Sequence, residues 1–207
     1  MATILGLDEA GRGCVLGPLV VGGFFFHMED DTPISDTGAT DSKMLSAKKR
    51  EAIRPKLQKI GEAKIVEVSA IEIDKGNLNR LEEVTFITII KHFQPDIVYI
   101  DAPTHPSGIP ALTQRLKKAL EDLPKMPQFI IEPKADLNYP VVGAASIFAK
   151  VHRDEQIKAL GDVGSGYPSD PKTRRWLKGF LDRNEDFPPC VRTRWGTIEK
   201  LKQQSLF

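Results

Sequence analysis

The sequence predicts an α/β protein built on a mixed sheet, with antiparallel strands at the front and parallel strands after them, flanked by helices. Three strand-like segments come first in the 207 residues, and helical segments then alternate with short apolar strands, as crossover connections do. The composition, 41% hydrophobic and 28% charged, is that of a globular protein. From Gly161 onward the pattern is helical. We therefore expect a main domain over residues 1–160 and a small helical appendage over residues 161–207.

The front of the predicted sheet holds three strands. Thr3–Leu7 and Pro18–Phe26 are apolar runs of strand length, and Ala63–Ser69 alternates polar and apolar residues as a half-exposed strand does. Between the second and third strands, a helix is predicted over Ala47–Ile60, with Ser46 as its N-cap. Strands in this order favour an antiparallel meander.

Helices and strands alternate in the second half of the chain. The first of these helices carries an apolar stripe at helical spacing. The stripe is predicted at Leu81, Val84, Ile87 (or Ile89) and Ile90. The predicted segments are, in chain order, helix Leu78–Phe93, strand Ile97–Ile100, helix Gly108–Leu123, strand Phe129–Ile131, helix Val141–Leu160, helix Lys172–Arg183 and helix Thr197–Gln204.

The apolar runs and the cysteines exclude several classes of protein. The longest apolar run, Val15–Phe26, has twelve residues interrupted by three glycines and one proline, and it is too short to span a bilayer. The two cysteines, Cys14 and Cys190, form no CxxC pair, so neither a disulfide framework nor a structural zinc site is expected. We therefore expect a cytoplasmic protein with no membrane partner. Because no long apolar stripe is left unassigned, we also expect a monomer.

The net charge of +1 hides an asymmetry along the chain. Residues 1–133 hold 16 basic and 19 acidic residues, whereas residues 134–207 hold 13 basic and 9 acidic residues. The basic excess is concentrated in Lys172–Arg194. A basic tail behind an acidic front favours a nucleic-acid enzyme whose acids bind metal. On charge alone, a solvated helix face explains the tail equally well.

Acidic residues follow three of the predicted strands. Asp8 and Glu9 end the first strand, Asp101 ends the fourth, and Asp136 follows the fifth. One such aspartate is usually a turn or cap residue, but parallel neighbouring strands would bring all of these acids to one edge of the sheet. Adjacent carboxylates repel each other, and a divalent cation that prefers hard oxygen ligands, Mg²⁺ or Mn²⁺, relieves that repulsion. Two such ions about 3.5–4 Å apart are a common arrangement for phosphodiester hydrolysis.

A glycine loop, Gly11-Arg12-Gly13, comes directly after the first acids. Glycines let the backbone approach a ligand closely, and backbone N–H and C=O groups can bond to sugar hydroxyls and phosphates. A plain hairpin turn between the first two strands explains the same glycines. The loop is neither a Walker motif nor a dinucleotide fingerprint, since it is followed neither by Gly-Lys-Ser/Thr nor by a predicted helix.

The segment Asp8–Gly13 (DEAGRG) resembles the N-terminal signature of ribonuclease HII, the type 2 ribonuclease H family. Further motifs resemble that family in the same order, over about residues 3–198. Cys14 departs from the pattern, since the family often has proline there, but the change removes no functional group. The other motifs are Asp41–Lys43 (DSK), Tyr99–Asp101, Lys134–Asp136 (KAD) with the helix residues Ala144–Asp154, Gly166–Asp170 (GYPSD) and Arg192–Trp195, of which KAD, GYPSD and Arg192–Trp195 are similar to the archaeal branch.

The resemblance implies a ribonuclease H-like fold and a metal-dependent endonuclease. Such an enzyme hydrolyses the RNA strand of RNA/DNA hybrids and nicks duplex DNA 5′ of an embedded ribonucleotide, leaving 3′-OH and 5′-phosphate ends, in ribonucleotide and RNA primer removal. The resemblance also implies that the catalytic acids that hold Mg²⁺ or Mn²⁺ are Asp8, Glu9, Asp101 and Asp136. Asp8 is expected to bridge two ions, with Asp136 at the water-side ion and the other two acids at the second ion.

The resemblance implies substrate contacts as well. The loop Gly11, Arg12 and Gly13 is expected at the 2′-OH, the group that distinguishes RNA from DNA. Tyr167 is expected to pack on the sugar at the RNA–DNA junction, although a surface aromatic beside a turn also explains this residue. Lys43 and Lys150 are expected to contact phosphates, although ordinary surface charge explains both lysines.

Two other function classes are compatible with parts of the pattern. A hybrid-binding module without catalysis would keep the fold and the basic tail, but a pure binder gains nothing from four acids that face phosphates. A different two-metal phosphotransferase, such as a DNA nuclease or a resolvase, would keep the acids but has no need of the glycine loop and the GYPSD loop.

The last residues of the chain resemble a sliding-clamp peptide. Gln203, Leu206 and Phe207 give Gln-x-x-Leu-Phe, a shortened form of the peptide whose glutamine and apolar plug fill a clamp pocket. A tail with an apolar tip suits docking, since few residues must be ordered. Alternatively, Leu206 and Phe207 fold back on the protein's own surface or fray.

Overall fold

A five-stranded mixed sheet forms the centre of the molecule in a computed structural model, which describes residues 2–28, 32–39 and 45–204. Its strands are β1 (Ala2–Ala10), β2 (Leu19–Met28), β3 (Glu62–Val68), β4 (Ile97–Asp101) and β5 (Gln128–Glu132). The strand order is β3-β2-β1-β4-β5. β1, β2 and β3 form an antiparallel meander, and β4 and β5 lie parallel to β1. The predicted α/β class, with antiparallel strands in front and parallel strands behind, is confirmed.

Helices cover both faces of the sheet. They are α1 (Thr32–Asp36), α2 (Ala47–Leu57), α3 (Ala70–Lys75), α4 (Leu78–Phe93), α5 (Ile109–Ala119), α6 (Ala135–Asn138), α7 (Pro140–Ala159), α8 (Pro171–Asp182) and α9 (Gly196–Gln204), with a 3₁₀ turn at Pro106–Gly108. α7 lies on one face, against β1 and β2, and α4 and α5 lie on the other. Within the described ranges, no helix is both long enough and apolar enough to cross a membrane.

Alternation along β1 divides the core into two layers. Ile4 belongs to a buried cluster with α7, whereas Leu5 and Leu7 belong to a second buried cluster with α4 and α5. Successive strand residues point to opposite faces, so even-numbered residues of β1 face α7 and odd-numbered residues face α4. Because the pairing of β1 with β2 stays regular to Ala10, this alternation puts Asp8 and the residue after it on opposite faces.

α7 lies close against the sheet because the strands present glycines to it. A Cβ on Gly6 would come within 2.2 Å of the Val141 carbonyl oxygen, and one on Gly22 would come within 2.4 Å of the Ala145 carbonyl oxygen. The N-terminal half of α7 is rich in small, buried residues, which permits this approach. This close packing fixes the distance between the sheet and the side chains of α7 that lie beside the end of β1.

The predicted stripe of α4 is confirmed at Ile89 and Ile90 and is wrong at Val84. Its buried apolar residues are Phe86, Ile89 and Ile90, whereas Val84 is 58% exposed. Packing of the Phe86 ring in the second core cluster determines which face of α4 is buried. The spacing of apolar residues alone does not determine that face. The resulting rotation of the helix puts Glu82, an acid, in a fully buried position.

Several element boundaries differ from the predicted ones. β2 extends to Met28 because its pairing with β1 continues as far as Ala2. α2 and α5 end earlier than predicted, at Leu57 and Ala119, and each continues as a hydrogen-bonded turn. The helices α1, α3 and α6 have five, six and four residues, too few for a periodic pattern to predict them.

The C-terminal region is fastened to the loop that follows β1. A third buried cluster joins residues of α8 and α9 to Val15 and Leu16 of that loop and to Ile157 of α7. Leu16 also forms a β-bridge with Val191. Because this shared cluster joins both sides of residue 160, the division into a main domain and an appendage stays a prediction.

Gly6→Ala is expected to destabilise the protein, since the new Cβ would meet backbone atoms of α7 that cannot move independently. We expect the free energy of unfolding to fall by about 1–3 kcal/mol, the usual cost of overpacking, measured from urea unfolding curves. Gly196→Ala is the matched control, because a Cβ there meets nothing within 4 Å. Equal unfolding midpoints for the two variants would contradict the close contact between α7 and β1.

Candidate metal centre and substrate cleft

Three aspartates meet at one edge of the sheet. Asp8, Asp101 and Asp136 each offer a carboxylate oxygen, and these oxygens all lie within 4.8 Å of one another. β1 and β4 are parallel neighbours whose pairing reaches Leu7↔Ile100, so each strand continues into its aspartate at the same level. Asp8 is 3% exposed and Asp136 is 2% exposed. The parallel order of the strands therefore brings these three acids together.

Asp136 reaches this edge from the short helix α6. Lys134 precedes that helix in the left-handed region, with a φ of 62°. The N–H of Ala135 then donates to Asp101 Oδ1 at 3.1 Å. This hydrogen bond ties the start of α6 to the end of β4 and holds the two aspartates at a fixed separation.

Glu9 approaches the same edge from the α4 side. Its N–H donates to Asp8 Oδ1 at 2.7 Å, but its carboxylate is not one of the three that converge within 4.8 Å. Burial, reinforced by nearby carboxylates, raises the pKa of Glu9 well above its usual value. Those carboxylates belong to Asp8, Glu82 and Asp101.

The surroundings of Asp8 bear on whether these acids suit a divalent cation. Burial is the main influence that raises the pKa of Asp8, and Lys150 is the main influence that opposes it. Lys150 Nζ lies 3.8 Å from Asp8 Oδ2. One buried oxygen of Asp8 and one of Glu9 accept no hydrogen bond from any described residue. Buried carboxylate oxygens without donors, in an all-oxygen set, fit Mg²⁺ or Mn²⁺.

Asp8, Glu9 and Asp101 line a cleft of about 420 Å³ together with the glycine loop and Tyr167. Basic side chains form much of the rest of its wall: Arg12, Arg50, Lys150 and Arg153. A cleft that combines carboxylates with cationic walls suits a polyanion bound through both metal ions and direct ion pairs.

The glycine loop is held by a buried arginine from the C-terminal region. This residue, Arg192, is fully buried. Its guanidinium donates to the carbonyl oxygens of Gly11 (2.7 Å), Arg12 (3.1 Å) and Gly17 (3.1 Å). Burial lowers the pKa of Arg192 to about 10, so the side chain is still a cation at neutral pH. The carbonyls of Gly11 and Arg12 are therefore already hydrogen-bonded before any substrate binds.

The side chain of Arg12 turns toward α4. Its guanidinium forms an ion pair with Glu82 and a hydrogen bond with the side-chain oxygen of Asn79. The backbone N–H groups of Arg12 and Gly13 make no hydrogen bond to the part of the chain that the structure describes. The loop thus offers backbone donors to a ligand, while its arginine side chain is held by a helix.

Tyr167 lies beside the glycine loop and is 41% exposed. The guanidinium carbon of Arg153 lies 4.9 Å from the centre of the tyrosine ring. Arg153 is itself held by Asp154 at 3.1 Å and by the Cys14 sulfur at 2.9 Å. Burial raises the pKa of the Cys14 thiol, so Cys14 contacts Arg153 as a neutral group. The ring is therefore supported from the protein side and remains partly open to solvent.

The other predicted site residues lie at the edge of the described residues or outside them. Lys43, with the rest of the DSK segment, lies outside the described residues. Gln203 is exposed near the end of α9, and Leu206 and Phe207 also lie outside the described residues.

Two site residues are missed by the sequence pattern. Arg192 counts there as part of the basic excess of Lys172–Arg194, yet it is fully buried. Glu82 is also fully buried, and a signal for it exists: it lies four and seven residues before Phe86 and Ile89, on the same helical face. An acid that extends an apolar stripe in this way predicts a buried carboxylate that needs a partner.

Comparison with known proteins identifies the family, since the profile of ribonuclease HII matches residues 5–198. The chain belongs to the ribonuclease HII family. Ribonuclease HII of Archaeoglobus fulgidus is 38% identical over 209 residues, which cover 97% of this chain and 97% of that protein. Ribonuclease HII of Pyrococcus furiosus is 40% identical, with 96% of this chain and 90% of that protein covered.

Solved structures of ribonuclease HII agree with this fold. Ribonuclease H2 from Pyrococcus horikoshii has a TM-score of 0.86 and 37% identity, with 98% of each chain covered. A PCNA:RNase HII complex from Archaeoglobus fulgidus gives 0.85 and 37%, with 97% of each chain covered. Members of the ribonuclease HII family cleave the RNA of RNA/DNA hybrids, so this chain is a ribonuclease H, a divalent-metal-dependent hydrolase.

Asp8→Asn is expected to change how stability depends on pH in the absence of metal. Burial raises the pKa of both Asp8 and Glu9 in the folded protein, so the native state retains protons that the unfolded state releases above about pH 4. The free energy of unfolding in EDTA should therefore fall as the pH rises from 5 to 8. The free energy of unfolding of the variant should fall less steeply over this range. At pH 8 the variant should be at least as stable as the parent.

Urea unfolding at both pH values measures this difference, with Asp122→Asn as the matched control. Asp122 is exposed and pairs with Lys91, which lowers its pKa, so its loss should leave the trend between pH 5 and 8 unchanged. An Asp8→Asn variant that unfolds at much lower urea than the parent at pH 8 would show that Asp8 is a structural residue instead.

Proposed function

We propose that this enzyme, acting as a monomer, nicks duplex DNA on the 5′ side of an embedded ribonucleotide and cuts the RNA strand of longer hybrids, leaving 3′-OH and 5′-phosphate ends. Its work would be the removal of ribonucleotides and RNA primers from DNA. One observation carries the proposal: Asp8, Glu9 and Asp101 line the same cleft as the glycine loop and Tyr167. The acids alone suit any two-metal nuclease, whereas a loop of backbone donors beside them supplies a means of detecting the 2′-OH.

In this proposal, the catalytic acids Asp8, Glu9, Asp101 and Asp136 hold two divalent cations, Mg²⁺ or Mn²⁺. Such ions, when bound, would activate a water molecule and stabilise the leaving 3′ oxygen. Asp8 would contribute to holding both ions, Asp136 would hold the water-side ion, and Glu9 and Asp101 would hold the second. The position of Lys150 beside Asp8 supports this role, since a nearby cation favours the ionised carboxylate that a metal requires.

Recognition of the ribose follows from how the glycine loop is held. Because Arg192 engages the carbonyls of Gly11 and Arg12, the loop presents N–H groups, and these donate to the oxygen of a 2′-OH. A deoxyribose at the same place has no acceptor, so it would leave donors unsatisfied in the closed complex, at a cost of about 1–3 kcal/mol. Lys43 and Lys150 add phosphate contacts, which position the strand without choosing its sequence.

A labelled DNA duplex with one ribonucleotide, incubated with and without Mg²⁺, tests the proposed function. A single nick 5′ of the ribonucleotide, with a 3′-OH end, is the expected product, and an all-DNA duplex of the same sequence should stay intact. Asp8→Asn should give no nick, and Asp122→Asn should cut as the parent does. Binding without cleavage by the parent would favour a hybrid-binding module, and cutting of the all-DNA duplex would favour a different nuclease.

Tyr167→Ala is expected to impair cleavage at a single ribonucleotide more than cleavage of a long hybrid. Tyr167 packs on the sugar at the RNA–DNA junction in this proposal, and an aromatic contact of that kind contributes about 1–3 kcal/mol. We therefore expect kcat/KM for the single-ribonucleotide duplex to fall by about tenfold relative to that for a long hybrid. Tyr167→Phe, which keeps the ring, is the control. An equal loss on both substrates would show that the tyrosine does not sense the junction.

We further propose that the C-terminal residues dock on a sliding clamp. The likeness to an RNase HII found in complex with PCNA supports this, as does the exposed position of Gln203 near the end of α9. Gln203, Leu206 and Phe207 would fill the clamp pocket. Titration of the clamp against the full chain and against a chain that ends at Lys202 tests the proposal. Equal affinities, or truncation that lowers the melting temperature sharply without changing clamp binding, would overturn it.

A further inference from the structure

Glu82 is a buried carboxylate near the metal centre that is neither one of the proposed metal ligands nor a proposed substrate contact. It is fully buried on α4, and one of its oxygens forms an ion pair with Arg12. Its other oxygen accepts no hydrogen bond within the described ranges. Burial raises the pKa of Glu82 to about 7, and the ion pair with Arg12 opposes that rise. A buried acid with one strong partner depends on that partner for its place in the fold.

Arg12 contacts Glu82 and lines the same cleft as Glu9. Its charge lowers the pKa of Glu82 and also that of Glu9, while the charge of Glu82 raises the pKa of Glu9. The guanidinium is held on the α4 side, by Glu82 and by the side-chain oxygen of Asn79. Glu9 also has a buried oxygen without a hydrogen bond to any described residue. If Glu82 were lost, Glu9 would be the carboxylate placed to attract the guanidinium.

We propose that Glu82 is a positioning residue that holds the Arg12 guanidinium on α4 and so keeps it off Glu9, which remains open to a divalent cation. The proposal rests on the proposed function only in taking Glu9 as a metal ligand. It gives Arg12 a double attachment: Arg192 holds its carbonyl, and Glu82 holds its side chain. Both the backbone and the side chain of Arg12 are then held in place, and the charge of Arg12 is directed away from the proposed metal site.

A double-mutant cycle measured by calorimetric titration of Mn²⁺ at pH 8 tests the proposal. In the parent, Glu82→Gln should weaken Mn²⁺ binding by about tenfold, because the released guanidinium pairs with Glu9. In the Arg12→Ala background, the same substitution should change Mn²⁺ affinity by less than about twofold, because no guanidinium is left to mispair. An equal effect in both backgrounds would mean that Glu82 acts only through its charge, and would overturn the proposal.

Two further variants separate positioning from loss of fold. Glu83→Gln removes an acid from the adjacent position of α4, where the partners are Arg80 and Arg115, and its Mn²⁺ affinity should stay within about twofold of the parent's. Glu82→Asp keeps the charge on a shorter side chain, so it should bind Mn²⁺ more tightly than Glu82→Gln. If Glu82→Gln does not fold, the comparison of Glu82→Asp with the parent, in both Arg12 backgrounds, replaces it, and an affinity loss of equal size in both again overturns the proposal.

The titration also distinguishes this proposal from the proposed function. A parent that binds Mn²⁺ but cuts no ribonucleotide-containing duplex would refute the proposed function, while the cycle would still decide the role of Glu82. A parent that nicks the duplex and shows no dependence of Mn²⁺ affinity on Glu82 would overturn the positioning role alone. A parent that binds no Mn²⁺ would overturn both.

Discussion

Crowded negative charge at the ends of β1 and β4 is the constraint on which the rest of the site depends. Like charges in a buried place repel strongly, and here the carboxylates of Asp8, Asp101 and Asp136 converge within 4.8 Å. The fold offsets part of that repulsion: Lys150 lies beside Asp8, and the N–H of Ala135 donates to Asp101. The negative charge that is not offset suits a divalent cation. The repulsion that raises the energy of the metal-free protein therefore also provides the driving force for metal binding.

The C-terminal region belongs to this arrangement, since it determines the shape of the loop beside the acids. Arg192 reaches the carbonyls of the glycine loop, and Leu16 pairs with Val191. Changes in the packing of α8 and α9 would therefore alter the glycine loop, although neither helix supplies an acid to the centre. In the proposed function, backbone donors discriminate the substrate and carboxylates bind the metal, and the first task depends on contacts between distant parts of the chain.

The sheet and the three aspartates could be predicted from the sequence because the residue patterns that indicate them are local. Apolar runs lead into Asp8 and Asp101, Asp136 follows β5, and parallel neighbours place such strand ends together. Glu82 and Arg192 could not be placed in this way. The first depends on how α4 is rotated by the fit of Phe86, and the second on a contact between residues 181 positions apart, Arg192 and Gly11.

The family motif predicts more about the site than residue types and spacing do, and less than the structure shows. Residue types and spacing alone left a hairpin turn and surface charge as adequate explanations for the glycine loop and the lysines. The resemblance assigned the loop to the 2′-OH, but it could not show that the Arg12 side chain is held by α4. A motif records which residues occur together, whereas the direction of a side chain is decided by the partners that the fold brings to it.

Anomalous diffraction from crystals of the full chain soaked in Mn²⁺ tests the central claim most directly. The claim is that the carboxylates of Asp8 and Asp101, at the ends of β1 and β4, form a divalent-cation site with Asp136. We predict an anomalous peak in direct contact with oxygens of Asp8, Asp101 and Asp136, and none in crystals of Asp8→Asn soaked in the same way. A strong peak elsewhere, with none between these three residues at a Mn²⁺ concentration that supports cleavage, would contradict it.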